Sequence, residues 1–171
     1  MVQNVGFICY SLANRINAKV GDMSDVNDNL AWEQAHGSGL QAYLGYQVVE
    51  WEEDRAVVEL EIRDHHRNRA GILHGGVIAT LMDTASGCAV CYCAVPGNVR
   101  KSLTLSLTTN FIGMATGGTV RVEGRKQGGG RKIVFTEATA YNAAGEVIAT
   151  ATGTFKYHRG SEDPNGVPRD A

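Results

Sequence analysis

Asp83 is the only charged residue between His74 and Arg100, and the residues around it at helical spacing are small: Gly76, Ala79, Thr80, Thr84, Ser86, Gly87 and Cys91. A face of small residues lets another backbone approach closely, and a carboxylate set within it loses much of its water. A carboxylate so placed can act as a general base on water or attack an electrophilic carbon directly. The competing reading is an ordinary solvated Asp, but this face is too poor in charge for ordinary solvent-facing surface. Just upstream, Asn68-Arg69-Ala70-Gly71-Ile72-Leu73-His74-Gly75-Gly76 places two glycines where a helix begins. Backbone N–H groups at a helix start attract anions and polarise carbonyls, although the glycines also suit a tight turn.

These residues need a frame. Val77, Leu81, Ala85, Cys88 and Tyr92, flanked by Ile78, Met82 and Ala89, follow a helical period and predict a helix from Gly76 to Ala94, stopped before Pro96 and Gly97. Asp83 lies on its other side. Upstream, a short helix is expected over Trp32 to Leu44, then strands over Tyr46 to Glu53 and Arg55 to Arg63 that pair as a hairpin through Asp54. Downstream, alternation at Leu103, Leu105 and Leu107, at Val120 and Val122, and across Ile133 to Tyr141 and Val147 to Tyr157 predicts four more strands. The fold class is therefore α+β: an antiparallel sheet of about six strands wrapped around one long central helix. One helix covers one face of such a sheet, so the outer face must meet another subunit or stay polar. Residues 1–30 read as a poorly patterned N-terminal extension, 31–157 as the domain and 158–171 as a flexible polar tail.

The string Asn68-x5-His74-Gly75-Gly76-x6-Asp83-x-Ala85 resembles the PaaI-like (phenylacetate-degradation type) acyl-CoA thioesterases, which have the hotdog fold. The resemblance runs from Leu40 to Tyr157 and includes the order of strands around the helix. It implies hydrolysis of an aryl- or medium-chain acyl-CoA to free acid and coenzyme A. Asp83 matches the catalytic carboxylate, and the Gly75 backbone N–H matches the group that polarises the thioester carbonyl. Asn68 matches the side chain orienting water or carbonyl, while His74 and Gly76 line the same pocket. Thr104 aligns with a hydroxyl near the carboxylate, with Ser102 and Ser106 on the same predicted strand face as alternatives. The resemblance also implies a homodimer with composite active sites, arranged as a dimer of dimers.

Other chemistry is weighed beside this. Enoyl-thioester hydratases and dehydratases share the fold but pair a His with an acid in a different local motif, and a non-catalytic acyl-CoA-binding module has no need of Asp83. Cys88-x2-Cys91-x-Cys93 lacks a second paired motif and reads as buried structural thiols, and the pair His65-His66 reads as loop. No metal and no cofactor is expected, coenzyme A being part of the substrate. The segment Arg121 to Lys132 holds five basic residues against one acid. Most such runs are solvated hairpins, yet Arg131 and Lys132 suit coenzyme A phosphates.

Sixteen basic and 18 acidic residues give a net charge of −2, which argues against a nucleic-acid partner. No stretch reaches the roughly 18 apolar residues of a membrane span. Val5 to Ala13 lacks a preceding basic residue and reads as part of a soluble protein rather than a signal segment. Bunched cysteines do not make a disulfide framework, so the cytoplasm is the expected compartment.

Overall fold

The computed structural model describes residues 28–169, so the expectations for Val5 to Ala13 and most of the N-terminal extension lie outside the described residues. Two helices, α1 (Asp28–Ala35) and α2 (Gly39–Leu44), replace the single predicted one. Ser38 breaks it: its backbone is extended, and it joins Gln41 in a capping box that starts α2 afresh. Strands β1 (Gln47–Glu52) and β2 (Arg55–Glu61) form the expected hairpin, with Asp54 at φ 60° in the turn. Helix α3 (Gly75–Cys91) follows, then the short β3 (Asn98–Val99). Next come β4 (Ser102–Phe111), β5 (Thr119–Gly129), β6 (Ile133–Tyr141) and β7 (Val147–Tyr157).

The six long strands make one antiparallel sheet in the order β1-β2-β5-β6-β7-β4, which curls around α3. Val58, Leu60, Val120, Val122, Ala138 and Ala140 line its inner face against Ile78, Leu81, Met82 and Ala85 of the helix. The buried side of α3 is turned slightly from the predicted stripe. Val77 and Cys88 are only partly buried, while Ser86, expected on the small-residue face, is fully buried. The outer face over β1, β2 and β5 is polar, as one of the two options required. Arg55 pairs with Glu50 at 2.7 Å, Arg121 with Glu59 at 2.6 Å, and Arg121 also reaches Glu50. Half-exposed pairs like these contribute modestly to stability.

The expected flexible tail is a correction. Val167–Pro168 forms β8, antiparallel to β3, and the Arg169 N–H donates to the Gly97 carbonyl at 3.1 Å. Ser161 is buried and accepts from the Lys101 N–H at 3.0 Å. Polar side chains gave no hint of these backbone pairings, because strand ladders join main-chain groups that every residue carries. Among the described residues, no helix is long and apolar enough to cross a membrane.

One glycine seats the helix on the sheet. A Cβ at Gly124 of β5 would lie 2.4 Å from the carbonyl carbon of Ala85 and 2.5 Å from its oxygen. Neither atom can swing aside, because both belong to the backbone of α3. Gly124→Ala is therefore expected to destabilise the fold by at least the 1–3 kcal/mol typical of overpacking, roughly, lowering Tm by about 2–4 °C for each kcal/mol. Thermal unfolding checks this; an unchanged Tm would mean the helix does not rest on β5.

Candidate active site

Asp83 lies in the third turn of α3, and the Thr104 hydroxyl of β4 donates to its Oδ1 at 2.8 Å. Hydrogen bonds to a charged acceptor are among the stronger ones and hold such a carboxylate in one orientation. A β-bulge decides which hydroxyl does this. Thr104 is paired with Phe155, but Ser106 is paired with Thr154, so the extra residue Leu105 turns Ser106 to the opposite face. Ser102, paired with Tyr157, stays on the inner face and accepts from the Cys91 thiol at 3.2 Å. Of the three hydroxyls considered from sequence, one touches the carboxylate.

Asp83 opens onto a cleft of about 290 Å³ walled by Trp51, Cys91, Ser102, Thr104 and Phe155. Among the described residues, Asp83 is the one charged side chain in that lining. No cation competes for its lone pairs, and Thr104 occupies only part of them. Burial pushes the Cys88 and Cys91 thiols up, away from the thiolate form that metal binding or nucleophilic attack requires. The walls Trp51 and Phe155 were not singled out from sequence. They arrive from β1 and β7, distant along the chain, and the Trp51 indole N–H is anchored on the Cys88 carbonyl at 2.7 Å.

The second group of candidates gathers at the start of α3. His74 is the N-cap, one residue earlier than the predicted helix start implies, and its Nδ1 accepts from the Gly76 N–H at 2.9 Å. The Gly75 N–H is left open among the described residues, while the Phe111 ring packs so closely that a Cβ at Gly75 would meet it at 3.2 Å. Asn68 Oδ1 accepts from the Ala70 N–H at 2.9 Å and the Ile72 N–H at 3.4 Å, which leaves its amide NH2 as the outward donor. His66, set aside in the sequence as loop, braces this segment. It is 1% exposed, its Nδ1 accepts from the Arg63 N–H, its Nε2 bonds the Leu44 carbonyl at 2.8 Å, and its own carbonyl accepts from the His74 N–H. Burial holds its imidazole below the usual histidine range, so it stays neutral and keeps this pattern.

Two half-sites result. Asp83 and Thr104 meet; His74, Gly75 and Gly76 share the start of α3, with Asn68 in the loop that leads into it. Along one helix, the eight residues from Gly75 to Asp83 span about 12 Å, too far for one water and one carbonyl to bridge. Arg131 and Lys132 stand apart from both in the turn between β5 and β6, where Lys132 lines a groove with Leu103, Lys156, His158, Arg159 and Glu162.

Known proteins resemble this chain in sequence and fold to different degrees. The family model described as "Thioesterase superfamily" matches residues 70–149. A protein of Halobacterium salinarum named "Putative esterase" is 31% identical, covering 79% of this chain and 96% of its own. A Streptococcus mutans protein solved bound to acetyl CoA is 28% identical with a TM-score of 0.58, over 66% of this chain and 88% of its own. The Escherichia coli PaaI protein, from the phenylacetic acid degradation operon, superposes with a TM-score of 0.66 at 20% identity, over 78% of this chain and 96% of its own. At that identity the likeness is one of fold, the hotdog.

Proposed function

This chain belongs to the thioesterase superfamily, and from that premise we propose that it hydrolyses aryl- or medium-chain acyl-CoA to free acid and coenzyme A. The observation that carries the reading is Asp83, alone as a charge in its cleft and oriented by Thr104. In the proposed reaction, Asp83 takes a proton from water as the water oxygen attacks the thioester carbon, or attacks that carbon itself. The carbonyl oxygen gains negative charge and accepts from the Gly75 N–H at the positive end of a helix. The C–S bond then breaks, and coenzyme A leaves as a thiolate that picks up a proton; where Asp83 itself attacked, water then cleaves the acyl–Asp83 anhydride, which releases the free acid and restores the carboxylate. Asn68 orients the water or the carbonyl through its free amide, and His74 and Gly76 shape the wall beside Gly75. A panel of acyl-CoAs assayed for released thiol tests the reading; no release from any of them would end it.

The separation of the half-sites calls for a second copy of the chain. Strand β4 is a ten-residue sheet edge, with Leu103 57% and Leu105 51% exposed, the kind of apolar edge that proteins pair or cover. Pairing β4 with its symmetry mate sets two α3 helices antiparallel, and Gly75 of one protomer then approaches Asp83 of its partner, twice over. Such dimers pair further into a dimer of dimers. The acetyl CoA bound by the Streptococcus mutans relative supports a coenzyme A ligand here.

In this reading Arg131 and Lys132 hold coenzyme A phosphate. Changing both to Gln is expected to raise KM for acyl-CoA with kcat little changed, and to leave a short pantetheine thioester almost untouched. Glu162 opposes them. Hydrogen bonds from its own and the Gly160 backbone N–H, with Arg131 and Lys132 nearby, hold its carboxyl below the usual range, so it stays anionic. Glu162→Gln should therefore move KM the other way. Equal losses on both substrates would point to a folding defect instead.

A further inference from the structure

Both tryptophans of the chain, Trp32 and Trp51, line a second cavity of about 210 Å³. It shares Trp51 and Cys91 with the Asp83 cleft, so the two spaces meet along one wall. Its far side is closed by α1 and by Arg169 beside β8, outside the 70–149 stretch that the family model matches. A cavity this small cannot hold a whole thioester substrate, but it can hold the end of one.

We propose that this cavity receives the far end of the acyl group, and that the preferred acyl group is about eight to ten carbons long and ends in a carboxylate. The inference rests on the thioesterase reading above. The length follows from the helix: Cys91 lies eight residues beyond Asp83, about 12 Å at 1.5 Å per residue. An extended hydrocarbon with bonds of about 1.5 Å advances roughly 1.3 Å per carbon, so some nine carbons span that distance. The terminal group follows from the charges. Arg100, Lys101 and Arg169 line the cavity against a single acid, Glu33. A methyl end would strip water from the Arg100 head and return nothing. Arg100 rests on neutral partners: its Nε donates to the Ser161 carbonyl at 3.0 Å, and its guanidinium lies 4.2 Å over the Tyr157 ring. Burial pushes the Glu33 carboxyl up from the usual carboxylate range. The indoles of Trp32 and Trp51 flank the apolar shaft that leads there.

Because the chain has no other tryptophan, indole emission reports on this cavity, Trp32 lining it alone and Trp51 standing between it and the Asp83 cleft. The experiment titrates the wild-type protein with non-hydrolysable thioether analogues of decanoyl-CoA and of its ω-carboxy counterpart. The expected result is a saturable emission change, with the ω-carboxy analogue bound about tenfold tighter, the effect of one charge-assisted hydrogen bond. Arg100→Gln should erase the preference while binding the methyl-ended analogue within twofold of wild type, and Arg100→Lys, which keeps the charge, should retain most of it. Equal or tighter binding of the methyl-ended analogue overturns the proposal. So does saturable binding with silent tryptophans, and so does failure of both analogues to bind. The two readings fail separately. If the analogues bind as expected but neither parent thioester is hydrolysed, the catalytic reading falls and the cavity assignment stands. If both are hydrolysed alike and the emission stays flat, the reverse holds.

Discussion

Asp83→Asn is expected to abolish thioester hydrolysis in a protein that still folds. The substitution is nearly isosteric, and the new amide oxygen can still accept from the Thr104 hydroxyl that now bonds Asp83 at 2.8 Å. Packing around the cleft is therefore preserved. What disappears is negative charge and proton affinity, and no other charged side chain among the described residues lines the cleft to supply them. A positioned general base contributes about 10²–10⁴-fold, and loss of a direct nucleophile would exceed that. Released thiol measures turnover, while thermal unfolding and size-exclusion chromatography check fold and assembly. Near-full turnover by Asp83→Asn would mean that the carboxylate is a bystander, and the mechanism would have to be abandoned.

Asp83 could be picked out of the sequence because a helix face reports on itself. Charge depletion between His74 and Arg100 and small residues at helical spacing are local patterns, and they survive folding. The hairpin and the long helix were legible for the same reason, from Val58, Leu60 and Ile62 in one period and Ile78, Leu81 and Met82 in another, while the pairing of β4 with β7 rather than with the next strand was not. What stayed hidden depends on partners far away along the chain. The bulge at Leu105, which separates Thr104 from Ser106, exists only in the pairing of β4 with β7. Trp51 becomes a wall of the cleft by reaching the Cys88 carbonyl, 37 residues on. The side of α3 that packs inward is set by Gly124, where the sheet admits the Ala85 backbone, and this turns Ser86 inward with it. His66 looked like loop because its value lies in three backbone hydrogen bonds that no spacing announces.

The composite site predicts recovery of activity from two dead proteins. Asp83→Ala removes the carboxylate from one half-site. For the other, Asn68→Asp is better suited than Asn68→Ala, because Asn68 Oδ1 accepts from the Ala70 and Ile72 N–H groups and shapes the loop. Asp keeps those acceptors and replaces the amide NH2 that would orient water or carbonyl with a charged oxygen that cannot donate. Each variant alone should be inactive, since both sites of its homodimer carry the lesion. In a mixed dimer with shared sites, one site collects both lesions and the other is intact. Unfolding the two proteins together and refolding the mixture should then return activity towards about a quarter of wild type, since random pairing makes half the dimers mixed and half their sites whole. The distance along α3 motivates this: about 12 Å separates Gly75 from Asp83 within a chain, and the proposed second helix lying antiparallel would close it. If subunit exchange is demonstrated and the mixture stays as inactive as its parents, each site belongs to a single chain. The helix N-terminus and the carboxylate would then serve different purposes.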